Sequence, residues 1–275
     1  MAIGIISAIV IVAYTVTGGF LAASMTDMIQ SVVMSIALLV VVLFGVHVAG
    51  GWDAVAANAN SMVDYLSLTA SHNAETGTVT PYGTLTIAST LAWGLGYFGM
   101  PQVLLRFMAI REEKELKASR RIATVWVVIS LAVAVFIGIV GRQLMPTVHL
   151  TKADAENIFI TLATSSLPAI LAGFVMAGIL AATISSSDSY LLIAASAFAK
   201  NIYQGVFKKN ASDKQVMNMS RITLLAIALV AMFIALDEKS VIFNIVSFAW
   251  AGFGATFGPI MLFSLFWKRT NRPGA

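Results

Sequence analysis

The chain has 275 residues, of which 59% are hydrophobic and 11% are charged, and its mean hydropathy is +0.87. A soluble domain carries about a quarter charged residues, so this composition excludes a water-soluble globular fold and makes lipid the expected solvent. The chain contains no cysteine, which excludes disulfide bonds and thiolate metal sites.

Seven segments are apolar over the roughly 20 residues that a membrane-spanning helix needs. The sequence therefore predicts an all-α integral membrane protein with about seven transmembrane helices in a single domain, residues 1–275. A short surface helix is expected near 53–68, and another is expected to start near Glu156. The predicted spans are 2–18, 27–49, 84–105, 122–145, 167–199, 221–236 and 241–267.

Basic residues explain the formal net charge of +4, and their placement indicates membrane orientation rather than binding to nucleic acid. Most of the 17 lysines and arginines lie in three loops, around 106–121, 200–221 and 268–272. The alternate loops hold only Arg142, Lys152 and Lys239. Because loops rich in lysine and arginine stay on the cytoplasmic side, the chain is expected to begin outside and to end inside the plasma membrane.

Gly18 and Gly19 predict the end of the first span, and Asp27 then falls at the start of the second. A carboxylate in the first turn of a helix is stabilised by the helix dipole. That interaction explains Asp27 without assigning it any function.

The third span contains an unusual run of helix breakers. Proline removes a helix hydrogen bond and clashes with the carbonyl four residues earlier. One interpretation is a helix broken between Gly94 and Gly99, whose loose backbone groups bind a solute, as in many transporters. The other is a kinked helix whose glycines allow close packing against a neighbour. The run is Trp93-Gly94-Leu95-Gly96-Tyr97-Phe98-Gly99-Met100-Pro101.

In the fifth span, Ala182, Ser185 and Ser186 are spaced i, i+3 and i+4, so they share one helix face. Hydroxyl and carbonyl oxygens on that face suit a hard monovalent cation without burying a full charge. Alternatively, the serines only bond back to carbonyls of their own helix. Asp188 lies in the same span, where an ionised carboxylate costs at least ~2.5 kcal/mol and usually marks an ion or proton path.

Four stretches resemble the sodium/solute symporter family, and within it the proline-transporting branch. They are residues 13–22, 26–30, 91–101 with 105–108, and 178–186. The resemblance implies a core of two inverted five-helix repeats, in which this chain corresponds to core helices four to ten. It also implies a piece of a longer protein, without the N-terminal helices and the C-terminal end.

The resemblance further implies roles for particular residues. Ala182, Ser185 and Ser186 match one half of a sodium site, with Na⁺ as the co-transported ion. Solute recognition falls to the broken helix, at Trp93, Gly94, Tyr97 and Pro101. Asp27 matches a carboxylate important for sodium coupling. We hypothesise a second cation site in which Asp27 and Asp188 approach each other, with Ser189 beside them, and bind a cation jointly or share a proton.

The expected function is sodium-coupled symport of a small solute, most simply proline or a related amino acid. Symport of another organic solute such as pantothenate is an alternative, and so is a transporter-like membrane sensor domain. The sequence shows no phosphate-binding loop, nucleophile elbow or zinc motif, so nothing in it supports an enzyme. The expected partners are the sodium ion, the solute and the lipid bilayer.

Overall fold

The computed structural model describes residues 2–235, 242–271 and 273, so Lys239, Arg272, Gly274 and Ala275 lie outside the described part. The all-α class is confirmed, with one small hairpin of strands β1 (Ala70–His72) and β2 (Val79–Pro81). The α-helices are α1 (Ala2–Val48), α2 (Trp52–Ser61), α3 (Thr84–Leu91), α4 (Trp93–Gly96), α5 (Pro101–Met108), α6 (Glu115–Leu144), α7 (Lys152–Ala155), α8 (Ile158–Ser166), α9 (Ala169–Ala197), α10 (Asp213–Ile234) and α11 (Ile242–Phe266). A 3₁₀ turn, Tyr97–Gly99, and a π-helix, Phe198–Phe207, complete the helical elements.

Within the described residues, five helices are long and apolar enough to cross a membrane. The predicted windows 2–18 and 27–49 both fall in α1, and the window 84–105 is divided among short helices. The total of seven crossings therefore stays a prediction, as does the single transmembrane domain. The five helices are Ile9–Val48, Glu115–Leu144, Ala169–Phe207, Asp213–Ile234 and Ile242–Phe266.

Gly19 interrupts α1, as the glycine pair predicts. Its φ of 61° and ψ of −157° are not helical, and helical torsion angles resume on both sides of it. The expected loop between residues 18 and 27 is therefore absent, and Asp27 lies about two turns beyond Gly19. The interpretation of Asp27 as a first-turn residue stabilised by the helix dipole is wrong, because the second helical segment begins well before it.

The polar stretch after α1 folds into α2 and the hairpin, so the predicted surface helix near 53–68 is found at Trp52–Ser61. The strands are antiparallel, with Ser71 opposite Thr80. The Arg142 guanidinium, at the end of α6, donates from Nη2 to the Ala74 carbonyl at 3.3 Å. Burial raises the pKa of the Tyr65 phenol, and the charge of Arg142 offsets part of that rise.

The helix expected near Glu156 is α8, and Glu156 itself caps another helix. Its carboxylate oxygens accept hydrogen bonds from the Ile242 and Phe243 amides at 3.2 and 3.1 Å. These amides belong to the first turn of α11, whose unpaired N–H groups carry partial positive charge. The segment before α8 is thereby fixed to the start of α11.

The chain divides into two compact units, Met1–Val40 with Pro168–Glu238, and Val41–Leu167 with Lys239–Ala275. In the first unit, α1 and α9 pack so closely that a Cβ at Gly178 would lie 2.7 Å from the Ala37 Cβ. In the second unit, Val140 and Leu162 are fully buried against Gly45 near the end of α1. Each unit is thus held together by helices that are distant in sequence.

Candidate functional site

In the second unit, residues 92–100 form the interruption that the third span predicts, and we call them the interrupted segment. Helix α3 ends at Leu91, and the chain then makes one turn of α-helix and one of 3₁₀ helix. Met100 is extended, with φ −85° and ψ 115°, and Pro101 starts α5. Since the residue before proline avoids the helical region, the proline rather than the glycines makes the break.

The glycines of the interrupted segment provide space for a neighbouring helix. A Cβ at Gly99 would lie 2.4 Å from the Phe253 carbonyl oxygen of α11, and one at Gly254 would lie 3.0 Å from the Gly96 Cα. Gly94 differs, because nothing lies within 4 Å of the position its Cβ would take. Both interpretations of this motif therefore hold in part: the helix is broken, and two of its glycines allow close packing.

Aromatic rings cover the interrupted segment. The Trp250 indole of α11 stacks on Trp93, with ring centroids 5.4 Å apart, and lies edge-on to Tyr97 at 4.7 Å. Its Nε1 donates to the Trp93 carbonyl at 3.1 Å, so one carbonyl expected to be free is already bonded. The Phe243 ring, also on α11, stacks on Trp93 as well, with ring centroids 5.8 Å apart.

No local spacing in the sequence connects Trp250 with the third span. A tryptophan within an apolar helix needs an acceptor for its N–H group, and that requirement is the signal that could have paired it with a broken segment. Of the predicted solute residues, Trp93 and Tyr97 meet at Trp250. Tyr97 is 48% exposed and Gly94 is exposed, so neither is enclosed by the packing of α11.

In the first unit, the polar face of α9 carries the predicted sodium ligands. The Ser185 hydroxyl donates to the Ala182 carbonyl at 3.1 Å, which is the bond within the helix that the alternative interpretation expects. Two oxygens this close can also contact a single ion. Ser186, next along the chain, is exposed, so its hydroxyl is accessible from outside the unit.

Asp188 is fully buried in the first unit, with an exposed fraction of 0%. The Tyr14 hydroxyl of α1 donates to its Oδ2 atom, whereas its Oδ1 atom is buried without a hydrogen bond. Ser189 also interacts with this carboxylate, and Asp27, itself 9% exposed, lies within electrostatic range of it. The structure thus gathers Asp27, Asp188 and Ser189, and it adds Tyr14.

Sequence reasoning missed Tyr14 as a partner of Asp188. The two residues are 174 positions apart in the chain, so no local spacing connects them. A buried carboxylate needs hydrogen-bond donors. A tyrosine inside another apolar span is the kind of residue that could have been proposed as the donor.

Residues 1–275 match a family model described as "Sodium:solute symporter family". Curated relatives carry related descriptions. The high-affinity proline transporter PutP of Bacillus subtilis (strain 168) is 41% identical over 97% of this chain and 54% of its own length. The osmoregulated proline transporter OpuE of the same strain is 38% identical over 97% of this chain and 52% of its own length. The sodium/proline symporter of Haemophilus influenzae is 41% identical over 96% of this chain and 52% of its own length.

The chain spans about half the length of these curated relatives. The match extends over nearly all of the chain itself, and so it includes both the interrupted segment and the buried carboxylates.

Proposed function

Because the chain belongs to the sodium:solute symporter family, we propose that it forms part of a transporter that moves sodium and a small zwitterionic solute, proline or a related amino acid, together across the membrane. The chain is a multi-pass protein of the plasma membrane. The observation that carries the proposal is the interrupted segment, because a broken helix within an apolar span is where transporters place their solute site. Relatives named as proline transporters support the choice of solute.

The solute would bind at Trp93, Gly94, Tyr97 and Pro101. The Tyr97 ring, which is 48% exposed, offers apolar contact to a pyrrolidine ring, whereas Trp93 is stacked between Trp250 and Phe243 and positions the segment. The open space at Gly94 lets a ligand approach the backbone. The N-terminus of α5, which begins at Pro101, carries the partial positive charge that attracts a carboxylate.

Sodium would bind at the Ala182 carbonyl and the Ser185 and Ser186 hydroxyls. These neutral oxygens replace part of the water shell of the ion without the cost of burying a carboxylate. The Ser185 hydroxyl and the Ala182 carbonyl lie 3.1 Å apart, which is close enough for both oxygens to contact one ion. When the ion binds, the Ser185 proton turns away from the carbonyl, and both oxygens present lone pairs to the cation.

A second cation or a proton would occupy the space among Asp27, Asp188 and Ser189. Two bare carboxylates in a buried site repel each other, so one of them is neutralised by a proton or both share a cation. Tyr14 occupies the Asp188 Oδ2 atom, which leaves Oδ1 for that ligand.

Coupling requires that each ligand bind one conformation better than the other. Sodium would stabilise the outward-open form and complete the solute site, and the doubly loaded form would then open inward. No chemical bond changes in this cycle, in keeping with relatives that are named as transporters.

Uptake of radiolabelled proline into proteoliposomes that contain the full-length protein tests the proposal. An inward sodium gradient should drive accumulation, and an equal potassium gradient should not. The double change Ser185→Ala and Ser186→Ala should raise the sodium concentration for half-maximal uptake. Thr183→Ala is the matched control, since Thr183 bonds back to the Ile179 carbonyl of the same helix. Uptake that ignores the sodium gradient would disprove symport.

The second site is tested separately with Asp188→Ser. The change should alter the sodium-to-proline stoichiometry or the pH dependence of uptake, and Tyr14→Phe should move the same quantity in the same direction by less. Tyr203→Phe, on the π-helix of the same unit, serves as control. If stoichiometry and pH dependence both stay unchanged in Asp188→Ser, the second site does not exist.

A further inference from the structure

A groove of about 700 Å³ lies in the first unit, between the end of α9 with its π-helix and α10. The lining residues of each wall recur at helical spacing, so the groove runs along the two helix axes. Its lining is apolar apart from Asn201 and Thr223, and the Thr223 hydroxyl is already bonded to the Met219 carbonyl at 2.9 Å. Alanines at 194, 197 and 226 leave the space that larger side chains would fill.

One end of the groove is marked by positive charge. Asn201 and Ile202 on one wall, and Met219 on the other, lie toward the loop that joins the two helices. The positive-inside rule assigns that loop to the cytoplasmic side. Five exposed basic side chains lie in or next to this loop, and none of them forms an ion pair with another described residue. They are Lys200, Lys208, Lys209, Lys214 and Arg221.

The π-helix contributes to the shape of this end. Its hydrogen bonds join residues five apart, so each turn holds more residues than a turn of α-helix. Phe198, Asn201 and Ile202 all belong to it and line the groove. Because π-helical turns are rare and occur often at functional sites, a run of ten residues at the mouth of a groove indicates more than ordinary helix packing.

From these observations we propose that the groove binds an anionic phospholipid of the cytoplasmic leaflet. One acyl chain lies along the alanine-lined walls, and the phosphate is held by Lys200 and Arg221, with the Asn201 amide beside them. Both walls belong to membrane-spanning helices, where an extended peptide would leave backbone groups unsatisfied. An acyl chain has no such groups, and basic residues at the cytoplasmic end of helices attract anionic headgroups.

Native mass spectrometry of the full-length protein in detergent tests the proposal, with palmitoyl-oleoyl phosphatidylglycerol as the anionic probe and palmitoyl-oleoyl phosphatidylcholine as the neutral one. Phosphatidylglycerol should bind roughly tenfold more tightly than phosphatidylcholine, because each basic residue near the headgroup strengthens binding several-fold. The double change Lys200→Gln and Arg221→Gln should remove most of that preference. Ala197→Phe, which fills the groove, should weaken binding of both lipids.

The control is Lys117→Gln with Arg120→Gln, two exposed basic residues in the first turns of α6, at another basic segment that the positive-inside rule assigns to the cytoplasmic side. This variant has the same loss of charge and should keep the preference. Ala226→Phe fills the groove from the opposite wall and replaces Ala197→Phe if that variant does not fold. Equal binding of the two lipids would overturn the proposal, and so would an equal loss in the groove and control variants. Unchanged binding in a folded groove-filling variant would overturn it as well. Each outcome is independent of whether the protein transports proline.

Discussion

Two interruptions of apolar helices in this molecule both contain glycine, yet they need it for different reasons. At Gly19 in α1 the backbone has a φ of 61° and a ψ of −157°, a region that only glycine enters easily. Nothing lies within 4 Å of the position that its Cβ would take. In the interrupted segment none of the glycines has a positive φ, and Gly96 and Gly99 are instead pressed against α11.

Glycine at the first interruption is therefore a conformational requirement, and at the second it is a packing requirement. Gly94 meets neither condition, since its φ is negative and its surroundings are open. The open space beside Gly94 is what the proposed solute would use. The substitutions below separate the three cases by their effects on stability and on uptake.

Gly99→Ala should have the largest effect on stability. Its methyl group would lie 2.4 Å from the Phe253 carbonyl oxygen and 3.0 Å from the Gly258 nitrogen, so the backbone of α11 must move. The expected cost is about 3 kcal/mol, measured as a lower midpoint of thermal unfolding in detergent. A midpoint within one degree of wild type would show that α11 does not pack on this glycine.

Gly19→Ala should cost about 2 kcal/mol, because alanine is strained in this backbone region. The same thermal measurement applies. Gly138→Ala, within α6 and with nothing within 4 Å of its Cβ position, is the matched control and should not destabilise. If both variants behave alike, the kink at Gly19 does not need its unusual backbone.

Trp250→Phe should cost about 1 kcal/mol, since it removes the hydrogen bond to the Trp93 carbonyl and keeps an aromatic ring in place. Proline uptake should also weaken, because Trp93 loses one restraint. Trp267→Phe is the control, as its indole is 53% exposed and has only an edge contact with Phe263. An equal loss in both variants would argue against a specific role for the Trp250 N–H group.

Gly94→Ala should change stability least, by about 0.5 kcal/mol or less. It should nevertheless raise the proline concentration for half-maximal uptake several-fold, because the methyl group takes space that the solute uses. Unaltered uptake would remove Gly94 from the proposed solute site, while the stability result would stand.

Local features of the sequence predict much of this arrangement. Gly19, Pro101 and Asp188 each break the pattern of an apolar run, so each can be recognised without any knowledge of its neighbours. Contacts between residues far apart in the chain cannot be recognised in this way. The Tyr14–Asp188 hydrogen bond and the Trp250–Trp93 contact join residues more than 150 positions apart, and no spacing along one helix encodes them.

The one wrong interpretation of a site residue has a similar cause. Asp27 is assigned to a first turn only if a loop follows Gly19, and hydropathy cannot distinguish a loop from a sharp kink of one residue. The π-helix after α9 is equally invisible, because its composition does not differ from that of an α-helix end. Backbone geometry that depends on tertiary packing therefore has to be observed.

The stacked pair of Trp93 and Trp250 has one more consequence. The two indole planes lie 16° from parallel, and at this separation their excited states interact, so the emission of the pair depends on their mutual position. Solute bound at the proposed site beside Trp93 would displace one ring against the other. The emission of the pair would then report binding at that proposed site, once the other tryptophans are replaced with phenylalanine.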